Sequence, residues 1–265
     1  MSSTTTIVKP NIRLDLTRSE RIFYVLSRRW IIVFAIILGL YAALPFLAPV
    51  FMKLGWDNPA RLIYIIYSLL CHQLPQRSYF LFGPKLTYSL PVIQSAWQNA
   101  VDPIVLRQFI GNSGMGWKVA WSDRMVSMFI SIWLFGLLWW PLRHRLKPLP
   151  WWGLVLFLLP MAVDGTSHLI SDLAGIGQGF RDTNIWLATL SLNAFPASFY
   201  AGDAWGSFNS LMRLLTGVLF GLGVVWFSFP FINEAFSETQ RSLVAKINIT
   251  KYNYPKNINR EDLHE

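Results

Sequence analysis

Three ionisable residues, Asp164, His168 and Asp172, are spaced four residues apart at the end of a long apolar segment. On a helix this spacing places them along one stripe, with a drift of only ~40° per step. Carboxylates and imidazoles are suitable ligands for Zn²⁺, Mn²⁺ or Fe²⁺. Ionisable groups in a membrane otherwise pair or face a wet cavity. The stripe therefore predicts a metal or proton-coupled site, or a polar network satisfied by arginines, with Asp172 nearest the interface and solvated.

Other ionisable residues stand where apolar segments begin or end. The candidate metal ligands are His72, Asp123, Asp164 and His168, for a divalent transition metal such as Zn²⁺. The candidate residues for an anionic headgroup or phosphate are Arg77, Arg124 and Arg213, because a guanidinium group offers a planar fork to oxyanions. The alternative for Arg213 is an ion pair with Asp164 or Asp123. Because no complete catalytic motif is present, we assign no catalytic residue.

Cys71 and His72 form a neighbouring pair at the end of a short apolar segment. Neighbours on a helix point about 100° apart, so the two side chains rarely share one ion. Cys71 is then a buried thiol beside a histidine that caps the helix, or His72 is a ligand or an acid-base group. No motif supports a catalytic cysteine.

The composition indicates an integral membrane protein. The 265 residues are 53% hydrophobic and 15% aromatic but only 14% charged, whereas soluble domains carry about 25% charged residues. Much of the net charge of +9 lies in the two tails, where basic residues set topology and contact anionic lipids. We expect membrane lipids and other subunits of a membrane complex as partners, and no nucleic acid, because no basic-aromatic module is visible.

The predicted fold is an all-α polytopic membrane helix bundle with about five transmembrane helices plus interfacial helices. The expected spans are residues 30–51, 59–73, 118–142, 151–172 and 208–231. A polar basic tail, residues 1–29, contains a short interfacial helix that starts after a capping box at Thr17–Glu20. The transmembrane domain covers residues 30–232, and a second polar basic tail covers residues 233–265. Interfacial helices or a re-entrant cap are expected in residues 74–118, and a surface helix in residues 185–192.

Alternation of five spans places nearly all core ionisable residues on one face of the membrane. The N-terminal tail then lies on that face, and the basic loop 143–147 and the C-terminal tail lie on the other. Because these basic segments predict opposite orientations, the sequence does not determine on which side of the membrane the core ionisable residues lie. The Gly217 and Gly221 pair has the spacing of a close helix contact.

The segment from Cys71 to Gly83 resembles a motif of a prokaryotic membrane protein family known as domain of unknown function 2085. Cys71, His72, Gln73, Pro75, Arg77, Ser78 and Gly83 match its pattern. A Cys-Ala-Arg-Cys element of the family is replaced here by residues 120–124, without either cysteine. Later elements resemble Asp164-Gly165 and the set Arg213, Thr216 and Gly217. The likeness covers roughly residues 60–230 and implies no activity. Without the two cysteines, any thiolate metal site that relatives hold cannot be intact here.

Three functions are compatible with these features. The first is a structural or accessory subunit of a complex in the cell membrane. The second is a metal-dependent, hydrolase-like membrane enzyme in which a metal-bound water is the nucleophile. The third is a small transporter, which fits less well because no inverted repeat is visible.

Overall fold

Four long helices dominate the structure, a computed structural model that describes the backbone of residues 17–253 and the side chains of residues 17–246. They are α1 (Arg18–Lys53), α5 (Asp123–Leu142), α6 (Trp151–Asp172) and α10 (Phe208–Asn253). Each is long and apolar enough to cross a membrane, because about 20 residues at ~1.5 Å per residue cover the hydrocarbon core. The predicted all-α bundle is confirmed.

The predicted fifth span is not among these four helices. The segment expected at 59–73 forms α2 (Asp57–Ser68), which has 12 residues. A helix of this length is only ~18 Å long, whereas the hydrocarbon core is about 30 Å thick. Tyr64 and Tyr67 on one face of α2 are buried, and the Tyr67 hydroxyl donates to the Tyr41 carbonyl of α1 over 2.8 Å. Helix α2 therefore packs against the end of α1.

The chain forms two compact units. The first consists of residues up to 33 and residues from 231 onward. Trp30 Nε1 donates to Asn233 Oδ1 over 3.3 Å, and Gln240 Nε2 donates to the Ser27 carbonyl over 2.8 Å. The predicted capping box is present, since Thr17 N donates to Glu20 Oε2 and Glu20 N to Thr17 Oγ1. The expected interfacial helix is the first part of α1, whose backbone departs from helical geometry at Arg29.

The second unit, residues 34–230, carries a small sheet as well as short helices in residues 74–118, where interfacial helices or a re-entrant cap were expected. Its strands are β1 (Ser78–Leu81), β2 (Gly111–Asn112) and β3 (Gly116–Ser122), which pair antiparallel in the order β1-β3-β2. Strand β3 is almost fully buried. Its Trp121 contacts the rings of Tyr41, Tyr67 and Phe129. This aromatic cluster anchors the sheet on the helices.

Short helices complete the second unit. They are a 3₁₀ turn (Pro75–Arg77), α3 (Leu90–Ala96), α4 (Pro103–Leu106), α7 (Phe180–Thr183), α8 (Ile185–Leu190) and α9 (Ala197–Tyr200). Helix α8 has no buried residue, in agreement with the predicted surface helix.

Helices α5 and α10 approach closely along a row of small residues. A Cβ atom on Gly217 would lie 2.0 Å from Ser127 Oγ, and one on Gly221 would lie 2.0 Å from Ser131 Oγ. The two serine hydroxyls donate across the contact to the carbonyls of Arg213 and Gly217 over 3.1 and 3.2 Å. The predicted small-residue contact is therefore present, and it sets the spacing of the two helices.

We expect Gly221→Ala to lower the free energy of unfolding by about 1–3 kcal/mol, because the added methyl group overpacks this contact. It would meet both Ser131 Oγ and the backbone nitrogen of Ile132, at 2.0 and 2.8 Å. Thermal unfolding in detergent measures the effect. Gly114→Ala is the control, since its Cβ meets nothing closer than 3.5 Å. Equal stability of both variants would contradict this account of the contact.

Candidate functional site

Charged side chains from six parts of the second unit meet in one group, which we call the polar layer. Its members come from the ends of α5, α6 and α10, from α7, and from the loops before β1 and α10. They are Arg77, Asp123, Arg124, Asp164, His168, Asp172, Arg181, Asp203 and Arg213. All except Arg124 and Asp172 are buried.

Asp203 joins two arginines in the first part of the polar layer. Arg213 donates from Nη1 to Asp203 Oδ1 over 2.6 Å and from Nε to both oxygens of Asp123 over 2.8 and 2.9 Å. Arg77 donates from Nε to Asp203 Oδ2 over 2.9 Å. Its two terminal nitrogens each donate to Asp172 over 2.7 Å. This continuous chain links α5, α6 and α10 to the sheet.

Asp164 is the centre of the second part. Its Oδ2 accepts from Arg124 over 2.6 Å, and its Oδ1 accepts from Arg181 over 2.7 Å. The same Arg181 nitrogen lies 3.2 Å from His168 Nε2. The arginines thus join the starts of α5 and α7 to the C-terminal half of α6.

The polar layer contains four arginines and four aspartates, and every one of them is paired. Burial by itself would raise the pKa of Asp203, but the guanidinium groups of Arg77 and Arg213 outweigh burial and hold the pKa well below its usual range. Asp203 is therefore a carboxylate at neutral pH.

Two asparagines hold the loops that deliver Arg181 and Asp203. Asn184 and Asn209 both donate to the Arg181 carbonyl over 2.7 Å. Asn209 also donates to the Gly202 carbonyl over 3.0 Å. Asn184 adopts a left-handed backbone conformation, φ 43° and ψ 41°, between α7 and α8. Asparagine tolerates this conformation better than most residues.

A cleft of about 320 Å³ opens beside the polar layer, and Cys71 and His72 lie in its wall. Leu74 N donates to His72 Nδ1 over 3.1 Å, so the ring proton is on Nε2. Although the His72 side chain is exposed at the cleft surface, desolvation by the surrounding protein and nearby guanidinium groups lower its pKa to about 3. Cys71 Sγ accepts from the backbone nitrogen of Ser122 over 3.4 Å. His72 is therefore neutral and Cys71 is tied to the start of α5.

Lys118 is a buried cation beside this region. It is fully buried in β3, where its amine donates to the carbonyls of Gln73 and Arg107 over 2.9 and 2.6 Å. Burial lowers its pKa to about 7. Lys118 therefore joins the segment after α2 to the segment after α4 at a cost in stability when it is charged.

The structure brings all seven predicted site residues to this region. His72, Arg77, Arg124, His168 and Arg213 line the cleft, and Asp123 and Asp164 pair with lining arginines. Their roles in binding a metal or an anion stay predictions. Arg213 pairs with Asp123 rather than Asp164.

Asp172 and Asp203 differ from expectation. Asp172 was expected to be solvated, but only 21% of its side chain is exposed and it forms a bidentate pair with Arg77. Asp203 was not singled out at all. Charge counting could have found it, because Arg77, Arg124, Arg181 and Arg213 exceed the three other aspartates by one positive charge.

Metal coordination by the predicted ligands would need rearrangement. Both oxygens of Asp123 accept from Arg213, and each oxygen of Asp164 accepts from an arginine. Within residues 17–246, no group of three or more histidine, cysteine, aspartate or glutamate side chains is arranged to hold a metal ion.

Comparison with known proteins agrees with the resemblance found in the motifs. A family described as "Predicted membrane protein (DUF2085)" matches residues 113–227. The chain resembles this family of membrane proteins. The matched range includes Asp164, Arg213 and Gly217 but not the Cys71–Gly83 motif. An uncharacterized protein of Methanocaldococcus jannaschii is 28% identical over 217 residues, which cover 79% of this chain and 96% of that protein. No solved structure matches.

We expect Asp203→Asn to destabilise the protein by about 3–5 kcal/mol at pH 7, because two buried guanidinium groups lose a charged partner. The folded pKa of Asp203 is below its unfolded value, so its stabilisation is present above about pH 4 and is lost as the pH falls. The difference between wild type and variant should therefore shrink below about pH 4. Thermal unfolding in detergent across this range measures it. Asp102→Asn, the same substitution at an exposed helix cap, is the control and should destabilise the protein at pH 7 by much less than Asp203→Asn.

Lys118 gives a pH dependence of the same sign as Asp203, but in a higher pH range. Its folded pKa of about 7 lies below the unfolded value of about 10.4, so the unfolded chain binds more protons between these values. Wild-type stability should rise from pH 7 to pH 10 relative to that of Lys118→Met, which keeps the apolar stem and cannot titrate. Parallel unfolding curves at pH 7, 8.5 and 10 test this, and a constant difference between the two proteins would refute it.

Proposed function

We propose that the protein is a structural or accessory protein of the cell membrane, in which the polar layer connects the helix ends. The pairing of four arginines with four aspartates is the observation that carries this proposal. Each connection joins segments that are distant in the chain, such as Arg77 to Asp172 and Asp123 to Arg213. These side chains are already engaged as a framework that positions α5, α6 and α10 together.

The structural role predicts that removing Arg213 damages the fold. Arg213→Met leaves Asp123 and Asp203 short of a buried counter-charge, at a cost of about 3–5 kcal/mol. We expect a lower yield of monodisperse protein and a lower unfolding temperature in detergent. Arg145→Met changes an exposed arginine of the loop after α5 and is the matched control. A variant at Arg213 as stable as this control would rule out the proposed framework.

An accessory role also requires a partner in the membrane. Mild detergent extraction after chemical cross-linking of intact membranes should recover the full chain with a reproducible second protein. Recovery of a monodisperse protein without any partner would contradict the accessory role but would be compatible with the structural role.

A metal-dependent membrane enzyme is the alternative, and His72 and His168 in one cleft wall are the observation that favours it. A metal there would compete with the arginines for Asp164. Metal analysis of the gently extracted protein tests it. Binding of a transition metal that is lost in His168→Ala would support the metal-dependent enzyme.

A third alternative is a small transporter. It would be supported only by transport of a solute into proteoliposomes that contain the purified protein.

The charge distribution supports an orientation in the membrane. The described N-terminal and C-terminal segments associate through Trp30 and Asn233, as four crossings require. Residues 1–29 carry six lysines and arginines, residues 143–150 carry three, and residues 233–265 carry five. With four crossings these three segments share one side of the membrane. The segments on the other side, residues 54–122 and 173–207, have six lysines and arginines in 104 residues.

We therefore propose that the basic segments are cytoplasmic and that the polar layer lies near the opposite face. With five crossings, the two basic tails lie on opposite sides of the membrane and predict opposite orientations. With four crossings, this conflict does not arise. Single-cysteine reporters in a Cys71→Ser background test the orientation. A membrane-impermeant maleimide should label Asn99→Cys on intact cells and His144→Cys only in inside-out vesicles. Both positions are exposed, so the reverse pattern would contradict this orientation.

A further inference from the structure

The cleft beside the polar layer has a positively charged wall, although the layer as a whole is balanced. Arg77, Arg124 and Arg213 line it, together with one carboxylate, Asp172. The partner carboxylates of Asp123, Asp164 and Asp203 are not part of the lining. The wall of the cleft therefore contains three arginines and one aspartate.

The two histidines in the wall add hydrogen-bond donors. His72 Nδ1 accepts from Leu74 N, so Nε2 carries the proton at an exposed position. His168 Nε2 lies 3.2 Å from an arginine nitrogen, which can only donate, so the His168 proton is on Nδ1. That Nδ1 is buried and has no hydrogen-bond partner among the described residues.

Arg124 provides a further donor. Its Nε is buried and has no partner within residues 17–246, although its Nη2 pairs with Asp164. A buried N–H without an acceptor costs about 1–3 kcal/mol. Arg124 and His168 line the cleft, and each holds a buried N–H group without an acceptor among the described residues. His72 adds a third N–H group, so a ligand that suits this wall must supply acceptors.

The cleft is also open to an apolar group. Leu70 and Leu169 are in its wall and are 54% and 63% exposed. Its volume of about 320 Å³ lies at the lower end of the range for small-molecule sites. A headgroup fits this space while its alkyl chains follow the exposed leucines.

We propose that this cleft binds a phosphoryl oxyanion, either the phosphate of a lipid headgroup or free phosphate. The oxygens accept from His72 Nε2 and from the guanidinium groups in the wall, as arginine and neutral imidazole donors allow. This role is additional to the structural role of the ion pairs, which hold the arginines in place without a ligand.

The test uses the full chain in a phosphate-free non-ionic detergent and follows its unfolding temperature. The probes are inorganic phosphate, phosphatidylglycerol and, as a phosphate-free lipid, diacylglycerol, with chloride holding the ionic strength constant. We expect a saturable rise with a phosphate-bearing probe and none with diacylglycerol. A rise with phosphatidylglycerol alone assigns the headgroup, and a rise with inorganic phosphate assigns the free anion. No rise with either would overturn the proposal.

Variants at two exposed histidines complete the test. His72→Ala should raise the apparent Kd for the active probe about tenfold, the effect of one lost hydrogen bond to a charged group. His72→Gln, which keeps an N–H donor, should recover part of the affinity. His144→Ala, in the basic loop outside the cleft, is the matched control and should bind like wild type. Unchanged affinity in His72→Ala would refute the site, whereas the stability of Arg213→Met tests the structural role separately.

Discussion

A guanidinium group in an apolar environment needs a carboxylate close by, and this requirement organises the second unit of the protein. Arg213 lies in the second turn of a helix long and apolar enough to cross the membrane, and it is 2% exposed. Two aspartates from different parts of the chain, Asp123 and Asp203, meet it within 2.6–2.9 Å. The Coulomb attraction at such distances offsets desolvation only when the remaining donors are also satisfied. Arg213 donates its remaining terminal nitrogen to the Asp203 carbonyl.

The irregular parts of the second unit serve this requirement. The segment after α2 places Arg77 between Asp172 and Asp203. The amine of Lys118 in β3 stabilises the same segment by donating to the Gln73 carbonyl. The loop after α9 places Asp203, and Asn209 holds its backbone through Gly202. Loops near a membrane are irregular without penalty only where the protein satisfies their polar groups, and here the loop side chains are the partners of the helix charges.

The same arrangement separates two roles within one group of residues. Ion pairs that join distant segments stabilise the fold, because removal of either partner leaves a buried charge. Arg124, His72 and His168, whose N–H groups those pairs leave partly unused, line a cleft, and such donors favour an oxyanion over a cation. A metal would require carboxylate oxygens that the arginines already occupy. For this reason we place the structural role first, the anion site second and the metal enzyme third.

The sequence alone determined the membrane class, the four long helices, the capping box at Thr17 and the close contact at Gly217. Each of these features follows from composition or spacing within a short stretch of the sequence. Most members of the polar layer could also be named, because an arginine or aspartate at the end of an apolar helix must have a partner. The length of the second apolar helix was less accessible, since residues 59–73 are apolar enough to resemble a span, whereas the structure has the short helix α2 packed against α1. Only the tertiary structure decided which aspartate pairs with which arginine, that Asp203 completes the layer, and that residues 78–122 form a sheet. These depend on contacts between residues up to 126 positions apart, and pairing energies between charges vary too steeply with distance for spacing along the chain to predict them.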